Sequence, residues 1–207
     1  GQMAARGGLS MAIHAIGDRA NHEVLKAYSQ IRQLEIVEGL KHLSHRIEHV
    51  QLLHPDHLNQ LTALDIIASM QPIHTTSDMD AADKYWGNRA RYAYAFNTLR
   101  TNGTKIIFGS DAPVESPNPF WGLHAAVTRQ RQNGYPSAEG WQPQERLTLS
   151  QALESYTTLP AQAAGWENRI GRLAPGAYAD LIVLARNPCE IEPDQLFKLT
   201  PEYVMVN

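Results

Sequence analysis

The apolar positions of this chain fall into two alternating rhythms. Short apolar runs end on a polar residue or a turn, and longer stretches with helical spacing follow them. Residues 9–14 close on His14 in MAIHAIGD, and residues 46–50 carry His49 in RIEHV. Residues 66–70 form the run IIASM, and residues 105–108 lead into Gly109-Ser110-Asp111 in IIFGSDAPV. Each run has the brevity and branched composition of a strand buried in a parallel sheet. After the first, RANHEVLKAYSQIRQ sets Val24, Leu25, Tyr28 and Ile31 on one helical face, with Asp18 suited to the N-cap. After the second, His54-Pro55 opens a helix over DHLNQLTAL, with proline at a first helical position.

The third run leads into residues 71–88, which read as a long polar loop, then into a helix over RARYAYAFNTLRTNG that Gly103 terminates. Beyond Asp111, the segment SDAPVESPNP is too rich in proline to be regular, and FWGLHAAVTRQRQNG reads as a helix closed by Asn133-Gly134. Thr148 and Gln151 have capping-box spacing ahead of QALESYTTL, a helix that Pro160 should break. The texture then changes. RIGRLAPGAYADLIVLA predicts two short β runs around Pro175-Gly176, and EYVMVN predicts one more strand without a partner.

The pattern is therefore four strand–helix units and a β-rich tail. A complete parallel (β/α)8 barrel takes about 250 residues, and this chain has 207. Its 43% hydrophobic and 19% charged residues are those of an ordinary globular protein. A net charge of −3 with interspersed signs gives no footprint for nucleic acid or an anionic membrane. No apolar run approaches the roughly 20 residues of a spanning helix. The opening GQMAARGG lacks the apolar core of a signal peptide, so the expectation is a cytoplasmic protein, provided no leader precedes Gly1. The single Cys189 excludes an intramolecular disulfide and a thiolate zinc cluster, so any metal falls to histidine and carboxylate.

His14, His49 and Asp111 stand 35 and then 62 residues apart, intervals that suit successive βα units. Strand ends of a parallel barrel project into one shared mouth. Two imidazoles and a carboxylate there make a donor set for a divalent metal that activates water. The bland alternatives are core histidines at strand ends and, for Asp111, a turn cap. His74 follows the third run as a contact for substrate or an oxyanion. Asp78, Arg89 and Trp86 are weaker substrate-side candidates in the predicted loop. Glu48 precedes His49 on a strand, so alternation sends it to the opposite face, where it would pair with an arginine or lysine. His22, His42, His45, His54, His57 and His124 have no convergent spacing and read as surface or capping residues.

Five motifs in order carry a resemblance: IHAIGDRAN, RIEHVQLLHPD, MQPIHTTSD with WGNR, FGSDAPVESPNPFWGLHAAVTR and GRLAPGAYADLIVL. Together they resemble the amidohydrolase superfamily, within it the YtcJ-like branch that includes N-substituted formamide deformylases. The resemblance implies an α/β fold: residues 1–165 as the C-terminal half of a metal-dependent-hydrolase (β/α)8 barrel, strands five to eight with their helices, and residues 166–207 as C-terminal strands of a composite β-sandwich. It aligns His14 with the fifth-strand metal ligand, His49 with the sixth-strand ligand and Asp111 with the eighth-strand residue, which both ligates and moves the proton. The family's HxH pair and fourth-strand ligand have no counterpart in this sequence. The implied activity is hydrolysis of a non-peptide, amide-like C–N bond in a small molecule by metal-activated water, with one or two divalent ions, most simply zinc, in a longer parent. For the isolated chain the expectation is weak or no metal binding, no turnover, and a homo-oligomer that covers its open edges. Alternatives are an inactive folded fragment and, for the parent, a metal-dependent deaminase.

Overall fold

A computed structural model describes residues 1–206. The short helix α1 (Gln2–Arg6) leads into strand β1 (Ala12–Ala15) and the long helix α2 (Asp18–Val37). Helix α2 forms because Leu25, Tyr28, Ile31 and Glu35 recur at helical spacing and are buried. Its N-cap is Gly17, not Asp18 as expected; Asp18 is the first helical residue. The Asp18 carboxylate instead accepts from the Arg19 backbone N–H at 2.9 Å and pairs with Arg89 at 2.6 Å. Strand β2 (Arg46–His49) follows, then a 3-10 turn at Pro55–His57 and helix α3 (Gln60–Ala63), a break where one continuous helix was expected. Strand β3 (Ile67–Met70) completes the next unit.

Helix α4 (Pro72–Trp86) occupies the stretch predicted to be a polar loop. Thr75, Met79 and Ala82 are buried at helical spacing, a stripe that a threonine conceals when only apolar residues are counted. The Thr75 and Thr76 hydroxyls donate to the carbonyls of Pro72 and Ile73, at 2.7 and 2.8 Å, which satisfies them inside the helix. A 3-10 segment, Gly87–Tyr92, then helix α5 (Phe96–Thr101), replace the single predicted helix. Gly103, just beyond α5, has φ +87°, as its expected terminating role requires. Strand β4 is Ile106–Phe108.

Helix α6 (Pro119–Thr128) is capped by Asn118, whose side chain accepts from the Phe120 N–H at 3.0 Å. It stops at Arg129, five residues short of the expected Gly134, because Arg129 takes a left-handed conformation. The buried Arg129 guanidinium donates to the Trp141 carbonyl at 2.9 Å and stacks on the Trp141 ring. Helix α7 (Leu149–Tyr156) has the predicted capping box between Thr148 and Gln151. Helix α8 (Thr158–Ala163) follows a break at Thr157, and Pro160 sits harmlessly in its first turn. In the tail, only β5 (Leu181–Leu184) and β6 (Pro201–Met205) are strands, and the RIGRL run is irregular. Strand β6, expected to lack a partner, pairs antiparallel with β5.

The chain divides into two compact units, residues 1–70 with 81–106, and residues 71–80 with 107–207. In the first, β1, β2 and β3 are consecutive parallel neighbours, and the Ala68 N–H bonds to the Lys105 carbonyl, so β4 enters as fourth in the order β1-β2-β3-β4. Leu25, Tyr28, Ile31, Ile47, Leu61, Ala68, Phe96 and Leu99 are its buried core. The second unit is helical with the β5–β6 ribbon, and its buried residues include Phe120, Leu123, Leu147, Ala152, Ala161 and Leu196. No helix among the described residues is long and apolar enough to cross a membrane.

Candidate functional site

In the first unit, two polar bolts align the strands. The Tyr28 hydroxyl lies 2.8 Å from the Arg46 carbonyl and 3.2 Å from that of Met11, tying together the chain at the starts of β1 and β2. At the opposite end, the buried Asn21 amide faces the carbonyls of Ala15, Ile16, Gly17 and Leu52 at 3.0–3.3 Å. His45, expected at the surface, is fully buried. Its Nδ1 accepts from the Met11 N–H at 3.1 Å and its Nε2 meets Glu35 at 3.1 Å. Burial pushes the His45 pKa down despite Glu35, so the ring is a neutral structural link. Burial alone would raise Glu35, but its bond to Arg32 at 2.7 Å and its contact with His45 hold it below the usual carboxylate range.

These bolts set His14 and His49 at the strand ends. In the register of the ladder, His14 is level with Glu48 and Ala15 with His49, so regular alternation would put the two histidines on opposite faces. The backbone breaks that rule at the last moment. His49 and Val50 have φ of +77° and +47°, which ends the pleat, and the two imidazoles meet edge to face with centroids 4.5 Å apart. His14 is exposed and His49 buried. Glu48 therefore lies on the face of His14, not opposite the histidine pair, and it bonds to Arg46 at 2.5 Å on that same face. Arg89 is exposed and engaged by Asp18. Burial raises the Asp18 pKa, and the Arg89 bond and Arg19 N–H outweigh it, so its carboxyl stays below the ordinary value. Trp86 closes α4, half-buried, on a helix end rather than in a loop.

In the second unit, His74 lies on the first turn of α4, buried between two carboxylates. Its Nε2 is 3.5 Å from Asp111 and its Nδ1 is 3.7 Å from Glu115. Glu115 also accepts a short hydrogen bond from the Ser77 hydroxyl. Asp111 has φ +59° and a partly exposed side chain. Asp78 is half-buried one turn beyond His74. Glu115 and Ser77 were not among the expected site residues. Their only trace in the sequence is spacing: Glu115 is four residues past Asp111, and Ser77 is three past His74 on what proves to be a helix. An imidazole between two carboxylates can hold a proton at one nitrogen and present it from the other.

Residues 2–207 match the model of the Amidohydrolase family. The protein LONG AFTER FAR-RED 3 of Arabidopsis thaliana is 35% identical over 188 residues, which are 89% of this chain and 31% of that protein. The putative amidohydrolase YtcJ of Bacillus subtilis (strain 168) is 32% identical over 205 residues, 97% of this chain and 37% of YtcJ. The crystal structure of an uncharacterized metal-dependent hydrolase from Pyrococcus horikoshii OT3 superposes with a TM-score of 0.78 at 30% identity, covering 92% of this chain and 37% of that one. The chain thus spans about a third of the length of the curated relatives it matches. It belongs to the amidohydrolase family, in its YtcJ-like branch.

Proposed function

We propose that this chain is the part of a metal-dependent hydrolase that supplies two imidazole ligands, the proton carrier and a substrate-side histidine. In this reading, residues 1–165 are the last four βα units of a (β/α)8 barrel and residues 166–207 belong to a composite β-sandwich. The full-length protein hydrolyses a small, non-peptide, amide-like C–N bond, as the resemblance to N-substituted formamide deformylases suggests. His14 and His49 would hold a divalent ion, zinc being the simplest choice, with Asp111 as a carboxylate donor. The donor set fits such an ion: neutral imidazoles and a carboxylate suit borderline divalent metals. The pairing of His14 with His49 at 4.5 Å, against the alternation of the strand, carries this reading. The ion, when bound, supplies Lewis acidity and brings the pKa of water toward neutrality.

The chain's own residues supply the rest. Asp111 takes the proton from the attacking water and returns it to the nitrogen of the departing amine. His74 turns one nitrogen to Asp111 and the other to Glu115, so Glu115 sets which nitrogen carries the proton, and the ring can donate to the carbonyl oxygen as it becomes an oxyanion. Substitution in the full-length protein tests these roles. Asp111→Asn keeps the shape and should lower turnover by about 10²–10⁴-fold, the usual weight of general acid–base catalysis. His14→Ala should first lower metal content, measured by elemental analysis, with partial recovery on adding zinc. His74→Ala should keep its metal and turn over slowly. Near-normal turnover by Asp111→Asn would refute the mechanism.

A further inference from the structure

Nothing in their spacing connects His22, His54 and His57, yet the fold gathers them. His22 lies on the first turns of α2, after β1, and His54 and His57 flank the 3-10 turn after β2. They line a cavity of about 620 Å³ with Asp18, Arg19, Glu23 and Asp56. The His22 Nδ1 and His57 Nε2 stand 3.0 Å apart, and the His54 and His57 ring centroids are 5.8 Å apart.

Two imidazole nitrogens this close either share one N–H or both turn lone pairs toward a cation. With metal–nitrogen bonds of about 2.0–2.1 Å, tetrahedral neighbours of one ion lie roughly 3.3–3.4 Å apart, so the pair as it stands suits a shared N–H and would take an ion after opening by about 0.3 Å. The other side of His57 separates them. Its buried Nδ1 and the buried Oε1 of Gln60 make no hydrogen bond, two complementary polar groups left without a partner on residues three positions apart. Turning the Gln60 amide onto Nδ1 satisfies both groups and leaves the Nε2 lone pair facing His22. This is how metal-binding histidines are oriented: the outer N–H is held by an acceptor and the inner nitrogen is presented. His22 is exposed and free to adopt the complementary tautomer. Three carboxylates on the cavity wall add negative charge that favours a cation.

We propose that His22 and His57 bind a late first-row divalent transition ion, zinc foremost, which cross-links the start of α2 to the turn after β2, with water completing the coordination. The site uses neither His14 nor His49 and does not depend on the hydrolase reading. In a parallel barrel these are segments that follow strand ends, where function is carried, so the ion would brace them.

Calorimetric titration of zinc into chelator-treated protein tests this, with His14→Ala/His49→Ala as the background that removes the other proposed site. In that background one equivalent of zinc should still bind. Adding the surface change His22→Ala should weaken it at least about tenfold, and Gln60→Leu should weaken it by about 10–100-fold, the usual effect of losing an orienting partner. Nitrogen-15 NMR should show the His22 Nδ1 and His57 Nε2 resonances move together on adding zinc. Equal zinc affinity with and without His22, or a coupling across a His22–His57 hydrogen bond that persists at saturating zinc, would overturn the proposal. Loss of activity by His14→Ala/His49→Ala bears only on the hydrolase reading.

Discussion

His49 and Asp111 are non-glycine residues with left-handed backbone, φ +77° and +59°. Such conformations cost roughly 1–3 kcal/mol each and persist only where the surroundings impose them. Both stand at strand exits where the family resemblance assigns ligands, so strain and proposed chemistry coincide at single residues. His124 is a histidine of another kind. Expected at the surface, it is 2% exposed, stacked edge to face on Phe197 with centroids 5.1 Å apart. Burial, only slightly offset by Asp194, depresses its pKa to about 4. Above about pH 6.5 both folded and unfolded chains keep this ring neutral. Between that pH and about 4, only the unfolded chain takes up the proton, so stability falls as pH falls, by up to roughly 1.4 kcal/mol per unit. His45, also depressed, acts in the same direction. The urea midpoint should therefore drop between pH 7 and 5, and less in His124→Asn. An unchanged drop in that variant would assign the pH dependence elsewhere.

Among the elements, α6 is set by a close approach its sequence hardly advertises. A Cβ on Gly122 would come within 1.8 Å of the Tyr156 hydroxyl oxygen and 2.9 Å of its ring carbon. Glycine inside a helix is ordinarily unfavourable, so here it serves to let α7 lie close against α6. Burial pushes the Tyr156 pKa up, and the ring packs against Phe108 with centroids 5.4 Å apart. Gly122→Ala should raise helix propensity yet destabilise the protein, by about 1–3 kcal/mol for overpacking, read as a lower urea midpoint. A stabilised Gly122→Ala would mean that Tyr156 yields freely. The capping box of α7 was legible because Thr148 and Gln151 bond within one turn. The end of α6 was not, because Arg129 leaves the helix to reach Trp141, twelve residues on. Helix α4 escaped notice for a related reason: its buried stripe includes Thr75, whose hydroxyl is satisfied by the helix itself.

For the molecule as a whole, the tail matters most. The β5–β6 ribbon exposes Ile182, Val183, Tyr203, Val204 and Met205. A two-stranded ribbon is marginal in water by itself, and exposed apolar edges recruit partners. This chain, purified alone, should therefore form a homo-oligomer at micromolar concentration. Light scattering reporting a stable monomer would contradict that, and replacing Val204 with lysine should shift the mass downward. The amino-acid sequence by itself determined the family, the four strand positions and the capping box of α7, and it nominated the candidate ligands. All of these depend on residue type and short spacing, which a linear pattern preserves. The tertiary structure alone decided that His49 turns to meet His14, that Glu115 and Ser77 join His74, and that His22 meets His57. Those depend on backbone twist and on segments distant in the chain meeting, which no local periodicity encodes.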